Sequence, residues 1–168
     1  VLVFEDGKKI LEFGGFPEKF SGYATGGFIS MDVDKDGIFL AQPFEFPIYL
    51  YDFEGNLKKN IGEGIEFENS YKKINLNEYK DSLTNLVYLY DMIISLDIIN
   101  GQILLTYKQS KDKKWERYLN IFNKKGDLLA KGIYLKDFFI LSTYHDFVYF
   151  KKGEKFYKGK YKGVSNEK

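Results

Sequence analysis

The sequence predicts an all-β protein, and two observations lead to this fold class. Short apolar runs alternate with turns rich in Gly, Asp, Asn and Pro along most of the chain. A hairpin motif also recurs along the chain, in which an aromatic residue precedes a turn glycine and a second glycine ends the unit. It spans residues 1–14 and is repeated at 51–62, 121–132 and, more faintly, 149–159. The composition agrees, because 44% apolar and 18% aromatic residues are enough for a packed core and exclude a disordered chain.

The first predicted elements are a hairpin and a group of four strands. Residues 1–14 form the hairpin, which turns at Asp6-Gly7. A glycine-rich connector, residues 14–27, leads to the group at 28–62. Its strands are separated by an Asp-Lys-Asp-Gly turn, a loop with two prolines at 42–47, and a Glu-Gly-Asn turn. Strands this short, joined by tight turns, are typical of an up-and-down antiparallel sheet.

A polar excursion at 62–90 follows, and its segment from Asn75 to Leu83 predicts a short helix. Four further strands are predicted in 92–132, where Asn100-Gly101 is the strongest hairpin signal in the sequence. Three strands in 137–162 end the series. The grouping of about thirteen strands as two, four, four and three favours a β-propeller over a sandwich or a barrel. Only a propeller is built from repeated units of four strands.

Three strings carry a resemblance to a known architecture. They are D-x-D-G-I-F-L at 34–40, I-Y-L-Y-D-x-E-G at 48–55 and F-N-K-K-G-D-L-L at 122–129. With them the chain resembles six-bladed β-propellers of the NHL and TolB-like kind. The resemblance implies a β-propeller-like array of four-stranded antiparallel blades, part of a six-bladed propeller, and a periplasmic or extracytoplasmic location.

The resemblance also divides the chain and implies what completes it. As one β-propeller segment, the chain has a half blade at 1–14, a blade at 28–62, a blade at 92–132 preceded by the excursion at 63–90, and a last blade at 137–162. Thirteen strands are too few for a closed ring of four to eight blades. We therefore expect the missing blades of the same protein, or a homodimer mate, to pair with the open edges.

Blade topology places the links between blades, and those between second and third strands, on one face, where pockets of such propellers usually open. We call it the loop face; it comprises residues 14–27, 42–47, 62–90, 109–114 and 132–136. The polar candidates for ligand binding there are Glu18, Tyr23, Gln42, Glu45, Tyr90, Asp91 and Lys108. The alternative is that these residues are simply solvated loop residues.

Two functions follow from this arrangement. The first is a non-catalytic module that binds a ligand or a protein partner through the loop face, with no cofactor. The second is a propeller hydrolase or lactonase with a metal in the central channel, for which Glu18, Glu45 and Asp91 are the available carboxylates. The first is preferred because an ion in such a channel needs several converging ligands. No catalytic motif such as G-x-S-x-G, a P-loop or H-E-x-x-H is present.

Other motifs have simpler explanations. Asp32, Asp34 and Asp36 copy the first half of a calcium loop, but Leu40 and Pro43 stand where later ligands are needed, so we expect a plain turn that binds no calcium tightly. His145, the only histidine, is expected in a turn, and one histidine makes no multi-histidine metal site. No cysteine is present, which excludes disulfides and thiolate zinc sites.

Charge and hydropathy bear on partners. No apolar run approaches the roughly 18 residues of a membrane-spanning helix. Residues 1–84 carry a net charge of −6 and residues 85–168 a net charge of +7, which fits either an anionic partner or solvated strand faces. Lysines and aromatics interleave in 151–163; the scarcity of arginine argues against nucleic acid, and we expect a strand with lysines outward and aromatics inward.

Overall fold

The computed structural model describes residues 2–12, 29–44, 46–68, 90–111 and 114–165. These residues form thirteen strands and contain no helix, and therefore none long and apolar enough to cross a membrane. The all-β prediction is confirmed for this part of the chain, while the helix predicted near Asn75 lies outside it. The strands are β1 (Leu2–Glu5), β2 (Lys8–Glu12), β3 (Ser30–Asp34), β4 (Gly37–Ala41), β5 (Ile48–Tyr51), β6 (Leu57–Ile61), β7 (Met92–Ile99), β8 (Gln102–Lys111), β9 (Lys114–Asn123), β10 (Leu128–Tyr134), β11 (Phe138–Tyr144), β12 (Phe147–Lys152) and β13 (Lys155–Lys160).

The described strands form four antiparallel sheets, each built only from consecutive strands. A two-stranded hairpin joins β1 and β2. Sheet I contains β3 to β6, sheet II contains β7 to β10, and sheet III contains β11 to β13. The predicted grouping into two, four, four and three strands is confirmed. Sequential pairing of this kind needs only short turns, which is why turn residues alone indicated it.

Two predicted loops are shorter than expected. The strands β8 and β9 stay paired out to Lys111 and Lys114, so most of the charged stretch 109–114, predicted as a loop, is strand. Likewise β10 continues through Tyr134, which shortens the predicted link at 132–136. Charged side chains are compatible with these strand ends because the ends are exposed to solvent.

Sheets I and II bury a shared apolar core. Phe39 and Ile48 from sheet I and Ile103 and Phe122 from sheet II are fully buried in it. Phe46 adds a ring that lies 6.3 Å from the ring of Phe122, centroid to centroid. Burying one such side chain contributes about 1.5–3 kcal/mol, so the contact between the two sheets is a main source of stability.

A second core joins sheet II to sheet III. Leu104, Leu119 and Ile121 are buried on the sheet II side, and Ile140 and Val148 of sheet III pack against them. Sheet II is thus covered on both of its faces. Its strands β8 and β9 accordingly contain near-continuous apolar runs.

Hydrogen bonds tie the first strands of the three sheets side by side. The backbone amide of Ile98 in β7 donates to Oδ2 of Asp32 in β3 over 2.6 Å. The Ser30 hydroxyl donates to the Ile94 carbonyl over 3.2 Å. On the other side of β7, the Thr143 hydroxyl of β11 donates to the Ile98 carbonyl over 2.9 Å. The strand β7 therefore lies between β3 and β11.

The last strand departs from its prediction. Aromatic side chains of β13 were expected to point inward, but Phe156 is 71% exposed and Tyr157 is also exposed. The reason is that β13 is the edge strand of sheet III. No described element covers the side of the sheet that carries Phe156, whose ring instead lies 5.7 Å from the ammonium of Lys151.

A first prediction concerns Gly37, the first residue of β4. A Cβ atom there would lie 2.0 Å from the Tyr51 carbonyl oxygen, and its φ of +144° is unfavourable for other residues. Gly37→Ala should lower the free energy of unfolding in urea by about 3 kcal/mol or more. Gly101→Ala is the matched control, since Gly101 also has a positive φ but nothing within 4 Å, and it should cost about 1 kcal/mol. Equal losses in the two variants would contradict the steric explanation.

Asp97 is a buried carboxylate in β7, and one of its two oxygens has no hydrogen-bond partner among the described residues. It is 8% exposed, and its Oδ2 atom accepts no hydrogen bond from the described residues. Burial raises the pKa of Asp97 to about 6; the nearby Ser95 hydroxyl acts in the opposite direction, and the charge of Asp32 adds to the rise. The folded state therefore holds a proton on Asp97 more tightly than the unfolded chain.

We predict that Asp97→Asn stabilises the protein at neutral pH. The favourable contribution of protonated Asp97 is complete below its unfolded pKa of about 4 and is lost as the pH rises through 6. Unfolding in urea should show the variant more stable by about 1–3 kcal/mol at pH 7.5, with a much smaller difference at pH 4. Glu154→Gln, at an exposed turn, should show neither effect. A gain of the same size at both pH values would contradict titration as the cause.

Candidate functional site

Four of the seven predicted ligand-binding residues belong to the described part of the chain. These four residues are all buried: Gln42, Tyr90, Asp91 and Lys108. They lie at the loop end of sheets I and II, near the strand ends. Glu18, Tyr23 and Glu45 lie outside the described residues. The alternative that these polar residues are simply solvated is wrong for the four described ones. Burying polar groups costs free energy unless they are partnered, so their burial is a specific feature of this end.

The segment that follows β4 is fastened to the start of β7. The Ile93 amide donates to the Pro43 carbonyl over 2.6 Å. The rings of Phe44 and Tyr90 meet edge to face with their centroids 5.0 Å apart. These contacts bring the segment carrying Gln42 next to the residues that open β7, although the two are far apart in sequence.

Asp91 and Lys108 lie where β7, β8 and β9 come together. An Asp91 oxygen, Oδ1, accepts a hydrogen bond from the Ser110 amide over 2.9 Å. Lys108 pairs with Met92 in the sheet register, and its ammonium lies 3.6 Å from the centroid of the Trp115 ring. Because Lys108 is only 2% exposed, this cation–π contact is largely removed from water and is correspondingly strong.

The electrostatics of this end are set by burial. Burial lowers the pKa of Lys108 to about 8, and the carboxylate of Asp91 acts in the opposite direction. Burial also raises the pKa of Tyr107, and the negative charge of Asp91 adds to this rise. An amine with a pKa near 8 exchanges protons close to physiological pH, a property that often accompanies binding and catalytic sites.

A band of aromatic rings, not predicted from the sequence, runs across sheet II near this end. Tyr107 and Tyr118 stack with centroids 5.7 Å apart, and Tyr118 lies 5.5 Å from Tyr134. The Tyr118 hydroxyl donates to Glu116 over 2.5 Å, and this hydrogen bond raises the pKa of Tyr118 to about 12. The spacing of tyrosines on three strands was visible in the sequence, but only the register shows that they are neighbours.

The predicted weak metal alternative, Asp32, Asp34 and Asp36, has other partners. Asp32 receives the Ile98 amide, and the ammonium of Lys124 forms ion pairs with both Asp34 and Asp36. Lys124 belongs to the turn between β9 and β10, so these carboxylates connect sheets I and II. Among the described residues, no group of three or more His, Cys, Asp or Glu side chains could hold a metal ion.

His145 lies in the turn between β11 and β12, as predicted. It has a positive φ of 51°, is exposed, and its ring packs edge-on against Tyr144 with centroids 4.2 Å apart. This turn is at the end of sheet III opposite to the link at 135–137. His145 is therefore remote from the buried polar residues described above.

Comparison with models of known protein families, with curated proteins and with solved structures finds no match.

We predict that the fluorescence of Trp115 reports the protonation of Lys108. As the only tryptophan, Trp115 can be excited selectively, and its emission should change with a midpoint near pH 8 because the ammonium loses its charge 3.6 Å from the ring. Lys108→Met should abolish the transition. Lys125→Met, in the turn at the other end of β9, is the matched control and should retain it. A midpoint above pH 10 in the unmodified protein would show that burial does not lower the pKa of this amine.

Proposed function

We propose that this chain is an arc of a β-propeller that binds a ligand or a protein partner through its loop face, without catalysis. The observation that carries the binding proposal is the burial of four polar loop-face residues, Gln42, Tyr90, Asp91 and Lys108. Burial of a carboxylate and an amine costs several kcal/mol of desolvation before their interactions are counted. A chain that needed only stability could use apolar residues of similar volume there.

The sheet arrangement supports the propeller part of the proposal. Sheets I, II and III are consecutive meanders, and each packs face to face on the next. Their first strands, β3, β7 and β11, are side by side through Asp32, Ser30 and Thr143. In a propeller the first strand of each blade lines the central channel, and this juxtaposition is what such an arrangement requires.

A hydrolase or lactonase with a metal in the channel is the less favoured function. Its support is the pair formed by Asp32 and Asp97, whose charges interact at the first strands of sheets I and II. Asp32 already accepts two backbone amides, from Val33 and Ile98, which leaves little capacity for an ion. The described residues offer no third carboxylate or histidine to complete a ligand set.

A fragment screen by ¹H–¹⁵N NMR tests the binding proposal. The probes are a library of small neutral, anionic and cationic aromatic compounds, added singly to the isotope-labelled chain. We expect the peaks that shift to be those of the Gln42 side-chain amide and of the Asp91 and Ser110 backbone amides. Lys108→Met should weaken the responding fragments by about tenfold, because a buried charge-assisted contact is worth 1–2 kcal/mol.

Two comparisons make this screen decisive. Lys125→Met, at the opposite end of sheet II, should leave the shifts unchanged. Shifts concentrated at the Asn100-Gly101 and His145 turns, or no shifts with any fragment, would contradict binding at the loop face. Millimolar Ca²⁺ or Zn²⁺ that moves the Val33 and Ile98 amides would instead favour the metal-dependent alternative.

A further inference from the structure

An open pocket of about 570 Å³ lies between sheets II and III, and none of the candidates predicted from the sequence is among its lining residues. Its lining comes from β9, from the link before β11, from β11 itself and from the strands β12 and β13 with their turn. The residues are Arg117, Asp137, Phe139, Lys152, Gly153 and Tyr157. They converge at the loop end of the two sheets because the link at 135–137 and the turn at Gly153 are both at that end.

Arg117 is the central charged group of this pocket. It is the only arginine of the chain, and its guanidinium carbon lies 3.4 Å from the centroid of the Phe139 ring. The ring contacts one face of the guanidinium, and the charge of Asp137, another lining residue, favours its protonated form. Five donors in a planar fork suit a carboxylate or a phosphate, which they can bind through two parallel hydrogen bonds.

A second cation stands directly opposite Arg117 in the sheet. Lys108 is its partner in the register of β8 and β9, which places the two side chains on the same face of sheet II, about 5 Å apart at their Cβ atoms. Like charges in this position repel, and the carboxylates of Asp91, near Lys108, and Asp137, near Arg117, reduce that repulsion. Lys152 adds a positive charge at the rim of the pocket, and Asp137 is the single negative charge of the lining.

The pocket also presents flat aromatic surfaces. The Tyr157 ring stacks on Phe150 with an interplanar angle of 10° and a centroid distance of 5.4 Å, which fixes its orientation. Tyr157 is nevertheless 42% exposed. A rigid, exposed tyrosine beside a stacked guanidinium is a surface on which a planar group can lie.

We propose that this pocket binds a small planar anion, that is, an aromatic or heteroaromatic molecule that carries a carboxylate or a phosphate. Arg117 and Lys152 bind the anionic group, and Tyr157 stacks on the planar group. The inference rests on the proposed function, since it assigns a ligand class to the loop face. It adds a binding position between sheets II and III to the one around Gln42, Tyr90 and Asp91, and Lys108 lies on the same face of sheet II as Arg117.

The test uses the single arginine as a reporter. In a ¹H–¹⁵N spectrum of the chain, the Nε–Hε group of Arg117 gives one peak that no other residue can produce. The probes are phenyl phosphate and benzoate, with inorganic phosphate and benzyl alcohol to separate the anionic from the planar contribution. We expect phenyl phosphate or benzoate to shift this peak and the Gly153 amide at least about tenfold more tightly than either control compound, because stacking on an aromatic ring contributes about 1–3 kcal/mol. The tighter of the two anions identifies phosphate or carboxylate as the natural group.

Three variants separate the contributions. Arg117→Lys keeps the charge but loses the planar fork, and it should weaken phenyl phosphate about tenfold. Because this change also removes the reporter, its affinity is read from the Gly153 amide. Tyr157→Leu should weaken phenyl phosphate and leave inorganic phosphate unchanged. Lys125→Met, remote from the pocket, should leave every affinity unchanged, and it controls for a general loss of positive charge.

The outcomes distinguish this inference from the proposed function. An Arg117 peak that stays fixed with both aromatic anions overturns the inference, as does an equal response to inorganic phosphate that Tyr157→Leu does not alter. If fragments still shift the Gln42 and Ser110 peaks in that case, binding at the loop face stands and only this pocket is excluded. If those peaks stay fixed while Arg117 responds, the pocket stands and the site around Gln42 and Asp91 is excluded.

Discussion

A small antiparallel sheet cannot bury its own faces, and sheets I, II and III depend on one another for burial. Phe39 and Ile48 of sheet I are removed from water only because Ile103 and Phe122 of sheet II close over them. Sheet II is covered on both faces, whereas the described elements cover only one face of sheet III and leave Phe156 exposed. Stability is therefore expected to be highest in sheet II and to decrease toward the edge strand β13.

Polar groups set the alignment of the sheets. Two aspartates at equivalent positions of sheets I and II show how much the surroundings of a carboxylate matter. Asp32 pairs with Phe39, and Asp97 pairs with Leu104; each pair is two positions from the last pair before its turn. Asp32 receives the Ile98 amide of the next sheet, so its charge is compensated. The described residues give Asp97 no backbone amide from a neighbouring sheet, and burial raises its pKa to about 6. The same residue at the same register therefore joins two sheets in one case and titrates at a raised pH in the other.

Two cations lie close together at the loop end of sheet II. Lys108 and Arg117 face each other across β8 and β9, and each is held against an aromatic ring, Trp115 or Phe139. Aromatic rings can orient a cation without neutralising it. The carboxylate of Asp91 acts on Lys108 and that of Asp137 acts on Arg117, whereas Lys124 forms ion pairs with Asp34 and Asp36 at the other end of the sheet.

The sequence by itself determined the all-β class, the thirteen strands and their grouping, because turn residues such as Asn100-Gly101 and alternating apolar residues act over short distances. It also pointed to Gln42, Tyr90, Asp91 and Lys108 through loop topology, but it could not show that they are buried. Sheet packing and strand register decide the burial of these four residues, the pairing of Lys108 with Arg117, and the exposure of β13. Both bring together residues far apart in the chain, and a local sequence pattern carries no information about such contacts.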